Sequence, residues 1–379
     1  MLRFQTLDGW RGIAAAFVAL YHLNFLNHIH DWGFLRNSYL FVDFFFVLSG
    51  FVITHAYINK IQNSTDLKRF INRRLSRLLP LHLFILALFI ILEFSKLLLV
   101  QSGAWQLDTQ PFTGEYSIQS LISNIFLAHS LGIHDHLSWN YPSWSISVEF
   151  YTYLIFSIVS LIGFKFRTLF PFLYLGLILV SFYYIYDNTS NLNDATYHYG
   201  IFRCIVGFFL GGICYRLFLK TRALVFPFAT ILEVSLMVTI YLFVTFYGHE
   251  KLSVIAPFIF TITVYIFSFE QGKISSLLKA KVVQNLGKWS YSIYMIHALL
   301  ILIIGRSLNL FEKMTGETYF IKHVYENSET ELVLLHNPYF MDFLTVVFLA
   351  VVIALSSLTY KYIELRASNF SFFKNKAST

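Results

Sequence analysis

Charge is what this sequence lacks most. Asp, Glu, Lys and Arg together make up 13% of its 379 residues, about half the share of roughly 25% that soluble domains carry. So few charges cannot clothe a water-facing surface when 56% of the chain is apolar. Cysteine is scarcer still, with only Cys204 and Cys214. They lie ten residues apart on one apolar helical stretch, about 15 Å along its axis. That is too far for a disulfide, so both are expected to be packing residues. Small disulfide scaffolds are excluded, as are collagen-like and disordered classes. The sequence has no internal repeat, no low-complexity tract and no G-x-S-x-G nucleophile elbow. It also lacks a basic n-region running straight into an apolar core ahead of a cleavage site. The first apolar stretch is therefore expected to be retained as a span.

Apolar length is abundant. Phe alone contributes 42 residues, and the mean hydropathy is +0.61. Stretches long enough to cross a bilayer fall near 10–28, 39–58, 79–100, 142–163, 168–186, 199–219, 224–247, 252–269, 286–304 and 340–363. The stretch 117–133 is shorter and more polar. The fold class expected is all-α: a polytopic membrane protein with about ten transmembrane helices.

The charge that exists is unevenly distributed. Lys and Arg number 28 against 21 Asp and Glu, a net +7. In a soluble protein that balance would suggest nucleic acid. Here the positive-inside rule accounts for it, and no nucleic-acid partner is expected. With a cytoplasmic N-terminus, ten spans put 21 of the 28 basic residues inside. A crossing at 117–133 would invert every later loop, so that stretch is expected not to span. Both termini are then cytoplasmic. One membrane domain is expected over 1–366, followed by a short cytoplasmic tail over 367–379, with no water-soluble domain at either end.

Ionisable residues inside spans are functional-site hypotheses. Arg11 and His22 lie eleven residues apart on the first span, about 20° from perfect alignment, with His22 about 16 Å further along. His22 is a candidate general base, since its ordinary pKa lies near neutrality; the plainer reading is a hydrogen bond to a neighbouring helix. Asp8 is placed to pair with Arg11 at i, i+3. Asp43, in FVDFFFVLSGFVIT, needs a partner; Arg11 or an Arg of the 73–77 cluster is expected. In KRFINRRLSRLLPLH, Arg69, Arg73 and Arg77 recur at i, i+4, Arg74 and Arg77 at i, i+3, and Pro80 is expected to open or kink the next span. The cluster reads either as a lipid-headgroup anchor or as a phosphate site, and the spacing leaves both open. Glu149, in NYPSWSISVEFYTY, could orient an acceptor hydroxyl or polarise His22, or it could cap a hydrogen-bond network around Trp144 and Tyr153. Gly50, Gly207 and Gly211 read as close-packing positions. The pairs His28/His30 and His134/His136 do not share a helix face, and no metal site is expected.

Five segments occur in the order LDGWRGIAAAFVALYH, FVDFFFVLSGFVIT, RRLSRLLP, WSISVEFYTY and LGKWSYSIYMIH. In this order they resemble the acyltransferase-3 family of integral-membrane O-acyltransferases over nearly the whole chain. The resemblance implies transfer of an acyl group, often acetyl, from cytoplasmic acyl-CoA to a hydroxyl of an envelope glycan or other carbohydrate, at the inner membrane and without a metal. It implies that Arg11 and His22 correspond to an essential first-helix pair, and that Arg74 and Arg77, with Arg73 beside them, meet the acyl donor. Trp144, Ser147 and Glu149 correspond to a Ser-Trp-Ser-x-x-x-Glu motif. The chain departs from the family pattern after the late His297, where Ala298 follows, and at Glu364, where Leu365 follows. Two rival readings remain at this level: a transporter or flippase of an envelope precursor, and a non-catalytic assembly protein.

Overall fold

A computed structural model describes residues 3–102, 110–325 and 328–369. Residues 370–379, most of the expected tail, lie outside that set. In chain order the helices are α1 (Gln5–Tyr21), α2 (His28–Asp31), α3 (Gly33–Arg36), α4 (Phe41–Tyr57), α5 (Ser64–Gln101), α6 (Ile118–Ile125), α7 (Trp144–Lys165) and α8 (Phe170–Asn188). They continue with α9 (Gly200–Thr221), α10 (Ala229–Tyr247), α11 (Ala256–Ser268), α12 (Lys273–Leu278), α13 (Lys281–Thr315), α14 (Pro338–Thr359) and α15 (Leu365–Asn369). Among the described residues, 9 helices are long and apolar enough to cross a membrane. The stretch 117–133 contains only the eight-residue α6, too short to span.

The expected first span, 10–28, differs from the observed helix. α1 starts at Gln5 and stops after 17 residues at Tyr21. The chain then turns to pair with a strand: Val333 N–H donates to Asn24 O and Leu26 N–H to Val333 O. Asn27 caps α2 by accepting from His30 N–H. The strand belongs to a hairpin, β1 (Phe320–Tyr325) against β2 (Ser328–Val333), antiparallel with Ile321 opposite Leu332. This hairpin is the described exception to an all-α fold. Pro80 lies inside α5 rather than opening it; the helix begins at Ser64, where Asn63 accepts from Asp66 N–H. At 38 residues α5 is about 57 Å long, against roughly 30 Å of hydrocarbon, so part of it lies beyond the hydrocarbon layer.

The chain forms two compact units: Met1–Val42, Ala223–Ser253 and Ile266–Leu358 make the first, and Asp43–Arg222, Val254–Tyr265 and Thr359–Thr379 the second. In the first unit α1 lies along α13. A Cβ at Gly12 would stand 2.5 Å from Gly287 N, and one at Gly287 would collide with Asp8 O. Glycine at both positions lets the two backbones touch. In the second unit α4 crosses α9 the same way. A Cβ at Gly50 would overlap the Phe208 backbone, and one at Gly211 would overlap Val47 O. Cys204 and Cys214 are both buried on α9 as free thiols.

Candidate active site

Polar contacts of the α1–α13 seam in the first unit hold both first-helix candidates. Arg11 donates from Nε and Nη2 to Gly287 O at 3.3 and 2.8 Å, and its Nη2 lies 3.4 Å from Asp8 Oδ1, the expected i, i+3 pair. Further along, His22 and His297 stack, with ring centroids 5.0 Å apart. The pairs 11–287 and 22–297 advance together, so the helices run parallel and Arg11 and His22 share the face turned to α13.

The two imidazoles face each other and the carbonyls of their own helices. His22 Nδ1 lies 2.9 Å from Val18 O, and His297 Nδ1 lies 3.2 Å from Ile293 O. His297 Nε2 sits 3.2 Å from the same His22 Nδ1. A carbonyl can only accept, so the tautomer with hydrogen on each Nδ1 satisfies both carbonyls. In that tautomer the one Nδ1–H of His22 is shared between Val18 O and His297 Nε2, and the basic nitrogen of His22 is Nε2. A base whose far N–H is held by an acceptor is the arrangement proton abstraction requires; here the acceptor is a second, fully buried imidazole. The sequence marked His297 as the late histidine of the family pattern, without a partner. Its place beside His22, 275 positions away, depends on the α1–α13 register.

The second unit holds the remaining candidates. Glu149 Oε1 accepts from Tyr153 Oη at 2.6 Å, and Tyr153 Oη lies 2.9 Å from Ser49 Oγ. The guanidinium of Arg74 sits among Tyr57, Phe70 and Tyr153, between 5.6 and 6.0 Å from their ring centroids, a cation–π cage. Arg69, Arg73 and Arg77 form the anticipated stripe, and it is exposed. Arg74, one position off the stripe, turns inward.

Asp43 is not paired as expected. Its partner is Arg203, bound through Nε–Oδ1 at 3.0 Å and Nη2–Oδ2 at 2.7 Å, with both side chains buried. Arg203 also donates to Leu192 O at 2.7 Å and lies 5.3 Å from the Trp144 ring centroid. The Arg203 fork takes both carboxylate oxygens, so Asp43 is paired with Arg203 rather than with Arg11 or an Arg of the 73–77 cluster. Ser147 is likewise held by the backbone: its Oγ donates to Leu127 O at 2.6 Å and accepts from Ser130 N–H. Asp43, Trp144 and Ser147 thus brace the second unit, while Glu149, Tyr153 and Arg74 gather along α7 and α5. Ser49 was missed as a member of the cluster, whereas Tyr153 was anticipated in the network that Glu149 could cap. The i, i+4 spacing of Glu149 and Tyr153 was a readable signal; the Ser49 contact was not.

The sequence profile of the acyltransferase-3 family, described as an acyltransferase domain, matches residues 4–360. The O-acetyltransferase OatA of Staphylococcus aureus is 26% identical over 322 residues, 79% of this chain and 51% of OatA. BcsY of Komagataeibacter xylinus, named as a membrane-bound transacylase, is 31% identical over 169 residues, 42% of this chain and 38% of BcsY. Protein 2 in the picA locus of Rhizobium radiobacter is 43% identical over 91 residues, 23% of this chain and 44% of that protein. The matches therefore span about half or less of the length of these relatives. No solved structure matches the chain.

Proposed function

Because the chain belongs to the acyltransferase-3 family, we propose that it is a membrane O-acyltransferase. It moves an acyl group, acetyl in the simplest case, from acyl-CoA to a hydroxyl of a cell-envelope or exported carbohydrate. The names of OatA and BcsY support the reaction class. The observation that carries the reading is the stacking of His22 on the buried His297, with His22 Nδ1 2.9 Å from Val18 O and 3.2 Å from His297 Nε2, which supports a tautomer with Nδ1 protonated and Nε2 basic.

In this reaction His22 Nε2 takes the proton of the acceptor hydroxyl as its oxygen attacks the thioester carbonyl. The C–S bond breaks, the acyl group stays on the acceptor oxygen, and the proton held by His22 passes to the departing thiolate. Arg11 ties α1 to α13 through Gly287 O and so maintains the register that brings His297 to His22. Glu149, oriented by Tyr153, positions the acceptor. Arg74 and Arg77, with Arg73 at the rim, meet the acyl donor.

The test is transfer of label from radiolabelled acetyl-CoA to envelope glycans by the purified full chain in lipid nanodiscs. Wild type transfers label. His22→Ala, accumulating normally, loses transfer by roughly 10²- to 10⁴-fold, the usual contribution of a general base. Undiminished transfer by that variant would remove His22 from the chemistry. Absence of transfer by wild type across the glycans would overturn the reading as a whole.

A further inference from the structure

The second unit contains a cavity of about 490 Å³ that the roles above do not use. Its volume falls within the usual range for small-molecule sites, roughly 300–1,000 Å³. Arg167, Arg216, Thr54 and Tyr174 line it, with Phe156 and Phe170 among the apolar walls. The Arg216 guanidinium lies 4.1 Å from the Phe170 ring centroid and 5.8 Å from that of Tyr174. Thr54 and Tyr174 are almost fully buried. The Tyr174 hydroxyl, the Thr54 hydroxyl and the Arg216 guanidinium gather at one end of the cavity.

The backbone around the cavity is shaped for it. A Cβ at Gly163 would overlap the Phe170 ring, and one at Gly212 would stand 3.0 Å from Thr54 Oγ1 and Tyr174 Cε1. Glycine at these positions admits the ring under Arg216 and the hydroxyl pair beside it. Two guanidinium groups, two hydroxyls and flat aromatic walls suit a ligand that joins phosphate to an aromatic base. The end of α4, the α7–α8 turn and the end of α9 form the site, and the Lys/Arg distribution assigns all three to the cytoplasmic side. One face of α7 runs from this cavity, through Ser160 and Phe156, to Tyr153 and Glu149. From Ser160 to Glu149 it covers about 16 Å.

We propose that this cavity seats the phosphorylated nucleotide end of the acyl-CoA donor, an inference that rests on the acyl-CoA reading above. Arg167 and Arg216 take the phosphates, the aromatic walls take the base, and the acyl arm extends along α7 toward Arg74.

The experiment measures binding of coenzyme A, and separately of adenosine 3′,5′-bisphosphate, to the full chain in phosphatidylcholine nanodiscs. Wild type binds both. Arg216→Gln weakens both roughly tenfold, the effect of losing one charge-assisted contact, and Arg216→Lys recovers part of the loss. Arg167→Gln, at an exposed rim position that cannot unfold the chain, weakens both probes in the same way. If the Gln variants bind as tightly as wild type, the cavity is not the nucleotide site, while binding of coenzyme A by wild type leaves the donor reading intact. If wild type binds no coenzyme A, the donor reading and this proposal both fall. Loss confined to nanodiscs containing phosphatidylglycerol would assign the cavity to a lipid headgroup and overturn the proposal.

Discussion

Among the described residues two histidine pairs stack, and their hydrogen bonds differ. In the second unit His82 and His129 lie nearly parallel, 7° between planes with centroids 6.0 Å apart. Each bonds a different partner: His82 Nε2 meets Asn124 O at 2.9 Å, and His129 Nε2 meets Ser143 Oγ at 3.0 Å. In the first unit His22 and His297 bond each other at 3.2 Å, and both Nδ1 atoms are anchored by helix carbonyls. The first arrangement ends on protein atoms and fastens a loop. In the second the rings bond each other, and with hydrogen on each Nδ1 the basic nitrogen of His22 is Nε2. Histidine burial alone does not separate structure from chemistry; the destination of each ring nitrogen does.

The same rule sorts the charged residues. Asp43 ends on Arg203, and Arg203 ends on Asp43 and on the Leu192 carbonyl. Glu233 is buried and accepts from Gly272 N–H at 3.0 Å and Ser275 N–H at 3.2 Å, closing the start of α12. Such groups hold the fold. The strongest challenge to the rule is Asp43→Asn, which leaves Arg203 buried beside a neutral amide. A cost of about 3–5 kcal/mol is expected for breaking a buried ion pair, read as loss of accumulation and a lowered Tm in detergent. Transfer activity per folded molecule should stay near wild type. A stable but inactive Asp43→Asn would move Asp43 from the scaffold into the chemistry.

A smaller effect separates His297 from a packing residue. His297→Leu removes the acceptor behind His22 Nδ1–H, and kcat should fall about 5- to 10-fold, the worth of one hydrogen bond. KM for acetyl-CoA should not move. His297→Gln, whose amide oxygen can accept, should recover part of kcat. Equal losses in both variants, or a change carried by KM, would reduce His297 to packing.

Much of this was readable from residues alone. The apolar runs located the long helices, because hydropathy over about twenty residues is a local property. The shared face of Arg11 and His22 followed from helical periodicity, and the i, i+3 pairing of Asp8 from the same rule. The exposed stripe of Arg69, Arg73 and Arg77 was legible for that reason too. What periodicity cannot supply is the partner on another helix. His297 reaches His22, and Arg203 reaches Asp43, through packing registers set by glycines far apart in sequence. α1 ended at Tyr21 instead of 28 because a strand from the far end of the chain claimed Asn24 and Leu26, a contact with no local signature.

The smallest predicted effect tests the structural pair itself. His129 is buried in the segment between α6 and α7, and burial, with His82 adding to it, pushes its pKa down to about 3. The ordinary value is about 6.5. Folded protein therefore binds fewer protons than unfolded protein in the interval between those values. The stability His129 contributes is complete above about pH 6.5 and declines as the pH falls from there toward 3. Tm measured from pH 7.5 to 5 should drop for wild type, and the drop should be shallower in His129→Gln, which no longer has a ring to protonate. Parallel curves would mean that His129 titrates as it does in the unfolded chain, and the contrast between the two pairs would lose its structural half.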